Sequence, residues 1–541
     1  MIFENDDLLI LQTRSVQDFK IDESNISSYA YRGDKLIIKY GISNKKPYPI
    51  DINIRTSDFL SNNLTIKQDR LEVRTIKKVR GHIGRSFSKD GDKNFPKIEA
   101  FDLIEYENSL RLEGESINYF YLYITTSLED KGVYKGSLFI DYLNKSLKVD
   151  LSFEILPIDK TRADFDLNLW QYPYSEARYY EISDENFFKE DHKEILSEVF
   201  NLYKAYRGDT LTTSIIDEPW DHQTYDPYPS MVRISHEDLS FNYEHFDSYV
   251  NLGIDKFKKI YAFSLIPWDK EGFDRDFWHK FLRDFIAHLD SKNLFDRTYI
   301  AIDEREVGQV KEALDFLQPY KNKDGKSFKV AYQTSFDKKN ISLYNKVDEI
   351  SFDLPSINYD CLSYVKERKE AGLYTSLYIC CGIYPNTFIY SDSYEAIFVI
   401  IYAYLNGFDG FLRWALDAYV KDPRSDLSFY YFESGDTSLI YPSKDIKKDK
   451  RPASSVRLES LAEGLEIIDK IDFLKKNLQE KDRQDFISQF GAFTIPESFE
   501  NEYKARISDD RARSMIIKDV TAMKELIYKY SKIYLVGRRW V

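Results

Sequence analysis

Two rhythms of apolar and polar positions divide the chain. Up to about residue 160, short runs alternate apolar and polar side chains with a period of two: "KLIIKYGIS", "PIDINIRT", "RLEVRTI", "SINYFYLYITTS", "YKGSLFIDYLN" and "KSLKVDLSFEILP". Asn, Asp, Gly and Lys mark the turns between them. This pattern predicts an antiparallel β-sandwich over 1–160. Nothing in it carries chemistry, so it reads as a packing or ligand-presenting module.

After "ILPIDKTRADF" the rhythm changes. Eight strand-like runs alternate with amphipathic stretches: "FDLNLWQ", "TLTTSII", "IYAFSLIP", "TYIAID", "KVAYQT", "EISFDLP", "YTSLYICC" and "GFLRWA". Such alternation predicts βα units, and eight of them predict a (β/α)8 TIM-like barrel over 161–452. Plausible helices include "DFWHKFLRDFIAHLDSK" before the fourth run, "EREVGQVKEALDFLQ" after it and "SYEAIFVIIYAYLN" before the eighth. From 453 to 541 the apolar spacing becomes 3.6 residues, which predicts C-terminal helices packed on the barrel.

Composition changes this picture in three ways. At 541 residues the chain exceeds one ordinary core, which agrees with several domains. Aromatic residues reach 16%, a content that suits both β-rich packing and sugar-binding clefts. A formal net charge of −14 argues against a nucleic-acid partner, because binding to phosphate backbones is driven by Lys and Arg. Cys361, Cys380 and Cys381 provide no disulfide framework and no zinc spacing. Without HExxH, GxSxG, GxGxxG or Walker-type motifs, neither metal nor cofactor is expected. No run of about 18 apolar residues could span a bilayer, and "MIFENDDLLILQTRSVQDF" lacks the form of an export signal, so a cytoplasmic location is expected unless such a signal was removed.

In a barrel of this kind the chemistry lies at the C-terminal ends of the strands. Four of six tryptophans fall there: Trp170, Trp220, Trp268 and Trp414. They either fill gaps at the rim or form a sugar-stacking pocket, and their clustering favours the pocket. Two adjacent acids, Asp303 and Glu304, end the fourth run. Neighbouring strand residues point to opposite faces unless the strand end twists. Alternatively Asp303 caps the helix that follows, with Glu304 in its first turn. If the pair is chemical, its adjacency does not suit two carboxylates flanking a glycosidic bond. It suits the substrate-assisted exception, in which the sugar's own 2-acetamido oxygen attacks the anomeric carbon. Glu304 then serves as general acid and base, and Asp303 orients the acetamido nitrogen. Mutual repulsion is expected to keep Glu304 protonated.

The segments "LNLWQYPYSEARYY", "TYIAIDERE", "YICCGIYPNTF", "GFDGFLRWALDAY" and "ESGDTSLIYP", followed by "SSVRLESLAEGLE", resemble in this order the catalytic domain of glycoside hydrolase family 123, the β-N-acetylgalactosaminidases related to DUF4091. The similarity runs from about 165 to 470. It implies an exo-acting retaining hydrolase of glycans or glycoconjugates that end in β-linked N-acetylgalactosamine, with Asp303 as stabiliser and Glu304 as acid/base. Trp414 would form part of the sugar wall, Arg413 or Asp436 would hold sugar hydroxyls, and Tyr378 or Tyr332 would hold the acetamido oxygen. Trp170 and Trp268 join the pocket on the clustering argument. Tyr243 and Asp247 near a helix start, and Tyr225 and Asp226 in a long loop, are further candidates. The competing readings are a broader β-N-acetylhexosaminidase, a catalytically silent carbohydrate-binding protein, and a hydrolase of sugars without an acetamido group. The last needs a second carboxylate, such as Asp417 or Asp353, about 5 to 9 Å from Glu304. Aglycone, epimer preference and oligomeric state stay open.

Overall fold

The computed structural model describes residues 2–17, 28–88, 91, 93–235, 237–269, 272–380, 382, 384–490, 493 and 510–538; Cys381 lies outside them. The period-two segments form two facing sheets. In the first, the order is Ile2–Glu4, Leu8–Gln12, Lys35–Asn44, Ile117–Thr125, Leu71–His82 and Lys97–Glu105, all antiparallel. In the second, Ser109–Leu112, Ile50–Thr56, Gly132–Tyr142 and Lys145–Asp159 are antiparallel, and Tyr29–Arg32 adds a parallel edge. Lys145–Asp159 shows why they face each other: Val149, Leu151, Phe153 and Ile155 are buried, while Lys148, Asp150 and Ser152 are exposed. The buried sets interlock through Tyr40, Phe120, Leu138 and Phe153. Two short strands from far along the chain, Ala453–Ser455 and Ile440–Tyr441, extend the first sheet beyond Lys97–Glu105.

All eight apolar runs of the second region are strands: β1 (Asp166–Leu169), β2 (Thr210–Ser214), β3 (Lys259–Phe263), β4 (Thr298–Asp303), β5 (Lys329–Thr334), β6 (Glu349–Asp353), β7 (Tyr374–Tyr378) and β8 (Gly410–Arg413). They form one parallel sheet in the order β1-β8-β7-β6-β5-β4-β3-β2. Parallel strands buried on both faces need continuous apolar sequence, which is what made them legible. The two end strands do not share a ladder. They approach through a single parallel bridge between Leu167 and Gly208, and through Gln171, whose Oε1 accepts from Thr212 N at 2.9 Å. The sheet is therefore a near-barrel.

A helix follows each strand: α1 (Glu190–Ala205), α2 (Glu244–Gly253), α3 (Arg275–Ser291), α4 (Val307–Leu317), α5 (Ile341–Tyr344), α6 (Tyr359–Glu370), α7 (Ser393–Leu405) and α8 (Val456–Asn477). Asp274 starts α3 by accepting from Phe277 N at 2.8 Å, and Phe277, Phe281, Leu282 and Phe285 form its buried stripe. By contrast α7 is apolar on nearly every side, because α8 covers what the sheet does not. A Cβ at Gly464 of α8 would lie 2.8 Å from Ile400 Cβ, so the crossing requires glycine. A further helix, Asp510–Arg538, packs on α7 and α8. No helix of the described residues is long and apolar enough to cross a membrane.

Candidate active site

The strand that carries the acid pair ends in an unusual turn. Glu304 adopts φ +44°, in the left-handed region that side-chain-bearing residues rarely enter. Its amide donates to the carbonyl of Gln333 at 3.0 Å, which fixes the turn against β5. The turn cancels the alternation of the strand, so Asp303 and Glu304 both reach the mouth. Nor does either acid cap the following helix: α4 begins at Val307, with Glu306 before it and no side-chain cap.

Each acid has its own surroundings. Glu304 is exposed, and its Oε1 accepts the Tyr378 hydroxyl at 2.7 Å. Asp303 opens partly to the mouth but is ringed by protein. Burial, and then the neighbouring Glu304 charge, push its pKa well above the usual carboxylate range, against opposing pulls from Arg305 and the Trp220 indole. Trp220 Nε1 makes no hydrogen bond of normal geometry, so its influence is that of a nearby dipole. The loop after β4 is braced twice: Tyr332 donates to the Arg305 carbonyl at 2.8 Å, and Arg305 Nη2 donates to the Pro219 carbonyl at 2.9 Å.

Facing the acids is an aromatic wall. Trp170 and Trp220 lie 5.9 Å apart at the floor, both packed on Phe263. Tyr172 meets Trp220 at 5.2 Å and Trp414 edge to face at 5.9 Å. Trp170 and Trp220 are buried, whereas Trp414 keeps a partly open face. Several buried polar atoms here have no partner among the described residues: Trp170 Nε1, the Tyr172 hydroxyl and both amide atoms of Gln333. Gln333 pairs in register with Asp303. Buried polar atoms are rarely left unpaired. A pocket that pairs flat rings with unpaired donors and acceptors suits a polyhydroxylated ring.

The profile of the glycoside hydrolase 123 catalytic domain matches residues 170–275 and 273–474. The chain belongs to glycoside hydrolase family 123. A family 123 glycoside hydrolase from Clostridium perfringens, studied for glycolipid glycan hydrolysis, is 27% identical, covers 94% of each chain and superposes with a TM-score of 0.83. A β-glucuronidase from Bacteroides uniformis matches 80% of this chain and 48% of its own at 9% identity, but its TM-score of 0.30 carries no argument. No curated protein matches the chain.

Within this family 123 hydrolase the other expected site residues divide. Arg413 and Asp436 form an ion pair with no solvent exposure; Arg413 Nε also donates to Thr387 Oγ1 at 3.0 Å, and Trp414 Nε1 to Asp436 Oδ1 at 3.4 Å. The pair stands behind Trp414 and fixes its indole. Trp268 lies past β3, its ring on Phe273 at 5.2 Å rather than in the Trp170–Trp220 cluster. Asp417 is wholly buried and accepts from Tyr172 N at 2.7 Å; burial raises its pKa to about 7. Asp353 pairs in register with Tyr378, and burial raises its pKa too. Tyr243 donates to Asp284 at 2.7 Å, and Asp247 meets His288 at 2.7 Å, so both are spent in the outer helical layer. Asp226 holds Arg178 Nε at 2.8 Å, while Tyr225 stays exposed at the rim. Sequence reasoning passed over Tyr172, Gln333 and Arg305; the strand-end criterion, applied to "LWQY", "AYQT" and "DERE", would have drawn attention to them. Among the described residues no group of His, Cys, Asp and Glu could hold a metal ion.

Proposed function

We propose that this family 123 hydrolase is an exo-acting, retaining β-N-acetylgalactosaminidase whose near-barrel is a (β/α)8 catalytic barrel, and that its nucleophile is the substrate's 2-acetamido group. The observation that carries the reading is the left-handed turn at Glu304, which turns two adjacent carboxylates toward one pocket. Two acids on one strand end cannot stand on opposite sides of a glycosidic bond, so the nucleophile must come from elsewhere.

In the reaction the acetamido oxygen attacks C1 while the Glu304 carboxyl gives its proton to the leaving oxygen. The result is an oxazolinium held against the Trp414 wall. Water then adds to C1, Glu304 takes its proton, and the ring opens back to the acetamide with retained configuration. Asp303 accepts from the acetamido N–H and balances the positive charge of the intermediate. In the free protein burial and Glu304 favour a proton on Asp303. The arriving N–H donor and the developing cation favour the ionised form of Asp303 instead. Tyr378 and Tyr332 are the candidates to hold the acetamido oxygen; the Tyr378 bond to Glu304 suits a hydroxyl that steadies the acid until that oxygen arrives.

The test compares wild type, Asp303→Asn and Glu304→Gln on aryl β-glycosides of GalNAc, GlcNAc and galactose. Wild type should favour GalNAc, both variants should lose nearly all rate, and a GalNAc-thiazoline should bind tightly. Equal cleavage of the galactoside would sink substrate assistance. Comparable rates on GalNAc and GlcNAc would indicate a broader hexosaminidase, and binding without turnover a silent lectin-like protein.

A further inference from the structure

A loop of the N-terminal sandwich leaves its own domain and lies on the rim of the catalytic mouth. Between Leu71–His82 and Lys97–Glu105 the chain crosses to the segment after β8. There Ser86 N donates to the Tyr430 carbonyl at 2.8 Å and Phe87 N to the Tyr431 carbonyl at 3.2 Å. His82 stacks on Tyr430 at 4.6 Å.

The loop presents one aromatic ring in a costly way. Phe87 is 51% exposed, yet its φ is +53°, which is strained for a bulky side chain. The Arg85 guanidinium covers one face of the ring at 3.7 Å. Strained backbone persists only where its surroundings hold it, and such residues gather at functional sites. An exposed phenylalanine with no purpose would be expected to relax.

From Phe87 a line of rings leads into the pocket. Phe87 meets Phe432 at 6.4 Å, edge to face, and Phe432 meets Trp414 at 5.1 Å. Polar groups accompany the rings. Arg85 Nε stands 3.7 Å from Glu433 Oε1, and the buried atoms Arg85 Nη1 and Glu433 Oε2 have no partner among the described residues. Arg85 also reaches the loop after β7, where a Cβ at Gly382 would lie 2.6 Å from its Nη2.

On the reading of the pocket given above, we propose that this rim is a leaving-group subsite, in which the pyranose that carries the scissile GalNAc stacks on Phe87 and is held through its hydroxyls by Arg85 and Glu433. Continuity with Trp414 places the rim beside the sugar to be released. A free donor and a free acceptor next to the rings suit hydroxyls better than an acyl chain. Rings set edge to face offer separate flat faces rather than one greasy groove.

Phe87→Gly tests this, since glycine accepts φ +53° without strain and removes only the ring. The measured quantity is the ratio of kcat/KM on a β-GalNAc-(1→4)-galactose disaccharide to kcat/KM on β-GalNAc fluoride, which has no sugar on the leaving side. That ratio should fall about five- to tenfold in the variant, the size of one stacking contact. An unchanged ratio overturns the proposal, as does a fall seen only with a ceramide-linked glycan, which would make the rim a lipid contact. Calorimetry in the Glu304→Gln background gives a readout that needs no turnover: disaccharide affinity should fall by the same factor when Phe87→Gly is added. If wild type cleaves neither substrate while that affinity still depends on Phe87, the proposed reaction fails and the subsite stands.

Discussion

The turn at Glu304 can be tested by replacing the residue twice, with alanine and with glycine. Both variants lose the carboxylate and the bond from Tyr378, so they differ only in what the backbone costs. In ordinary helical or extended conformation alanine is the more stable choice by about 0.5–1 kcal/mol, because glycine loses more freedom on folding. At φ +44° the order reverses. A Cβ in the left-handed region costs about 1–2 kcal/mol. Subtracting the entropic advantage of alanine leaves Glu304→Gly more stable than Glu304→Ala by about 0.5–1 kcal/mol. For a domain of this size that corresponds to about 1–2 °C in Tm, within reach of paired calorimetric scans under identical conditions. Activity serves as an internal control, since both variants should be equally impaired on an aryl β-GalNAc that needs a protonated leaving oxygen. If the alanine variant melts higher, Glu304 is not left-handed. The two carboxylates would then point to opposite faces, and the acid pair would lose its structural basis.

Tyr378→Phe removes one hydroxyl and keeps the ring; a hydrogen bond to a carboxylate contributes about 1.5–3 kcal/mol, so kcat/KM should drop about ten- to a hundredfold with an unchanged far-UV spectrum. With β-GalNAc fluoride, which needs no general acid, kcat/KM should rise with pH as Asp303 ionises, along a limb set above the usual carboxylate range. Glu304→Gln removes one of the two causes of that rise, so the limb should move to lower pH; no movement would mean that the charges do not interact. Asp417→Asn should stabilise the protein at pH 8. The folded pKa of Asp417, about 7, lies above its unfolded value near 3.8, so wild type loses stability as pH climbs between the two, and the advantage of the variant should vanish below about pH 4 in melts across that range.

How much of this was legible in the sequence depends on whether local pattern or distant contact decides a feature. The eight parallel strands were legible because strands buried on both faces carry few charges and many apolar, aromatic or β-branched residues, as in "TYIAID" and "KVAYQT". In the sandwich Lys97–Glu105 was missed because "KIEAFDLIE" alternates weakly, with Asp102 buried against Arg457. Ile440–Tyr441 and Ala453–Ser455 are too short for any period; Ala453–Ser455 is a strand through its pairing with Lys97–Glu105, and Ile440–Tyr441 through its pairing with Ala453–Ser455. At the site, position after a strand was enough to select Asp303, Glu304, Trp170 and Trp414. It did not reveal that Glu304 would turn left-handed, since glutamate has no preference for that region. Nor did it separate residues that face the pocket from those that support it: Arg413 and Asp436, 23 positions apart, meet as a buried pair only because the segment after β8 folds back under Trp414.

The arrangement also explains why adjacent acids and a crowded wall belong together. A carboxyl ringed by protein and set beside a second carboxylate is held in an environment that opposes its charge, and ionising it costs stability in the free protein. That cost is reversed only when a positive charge develops beside it. In the proposed reaction Asp303 would therefore interact more strongly with an oxazolinium than with a neutral sugar, which is the condition for lowering a barrier rather than merely binding substrate. Had the two acids been set apart in solvent, both would ionise freely and neither would distinguish the two states. The same crowding requires a rigid support, and the buried Arg413–Asp436 pair after β8, together with two neighbours on β5, the Tyr332 bond to the loop after β4 and the Gln333 carbonyl under Glu304, provides it.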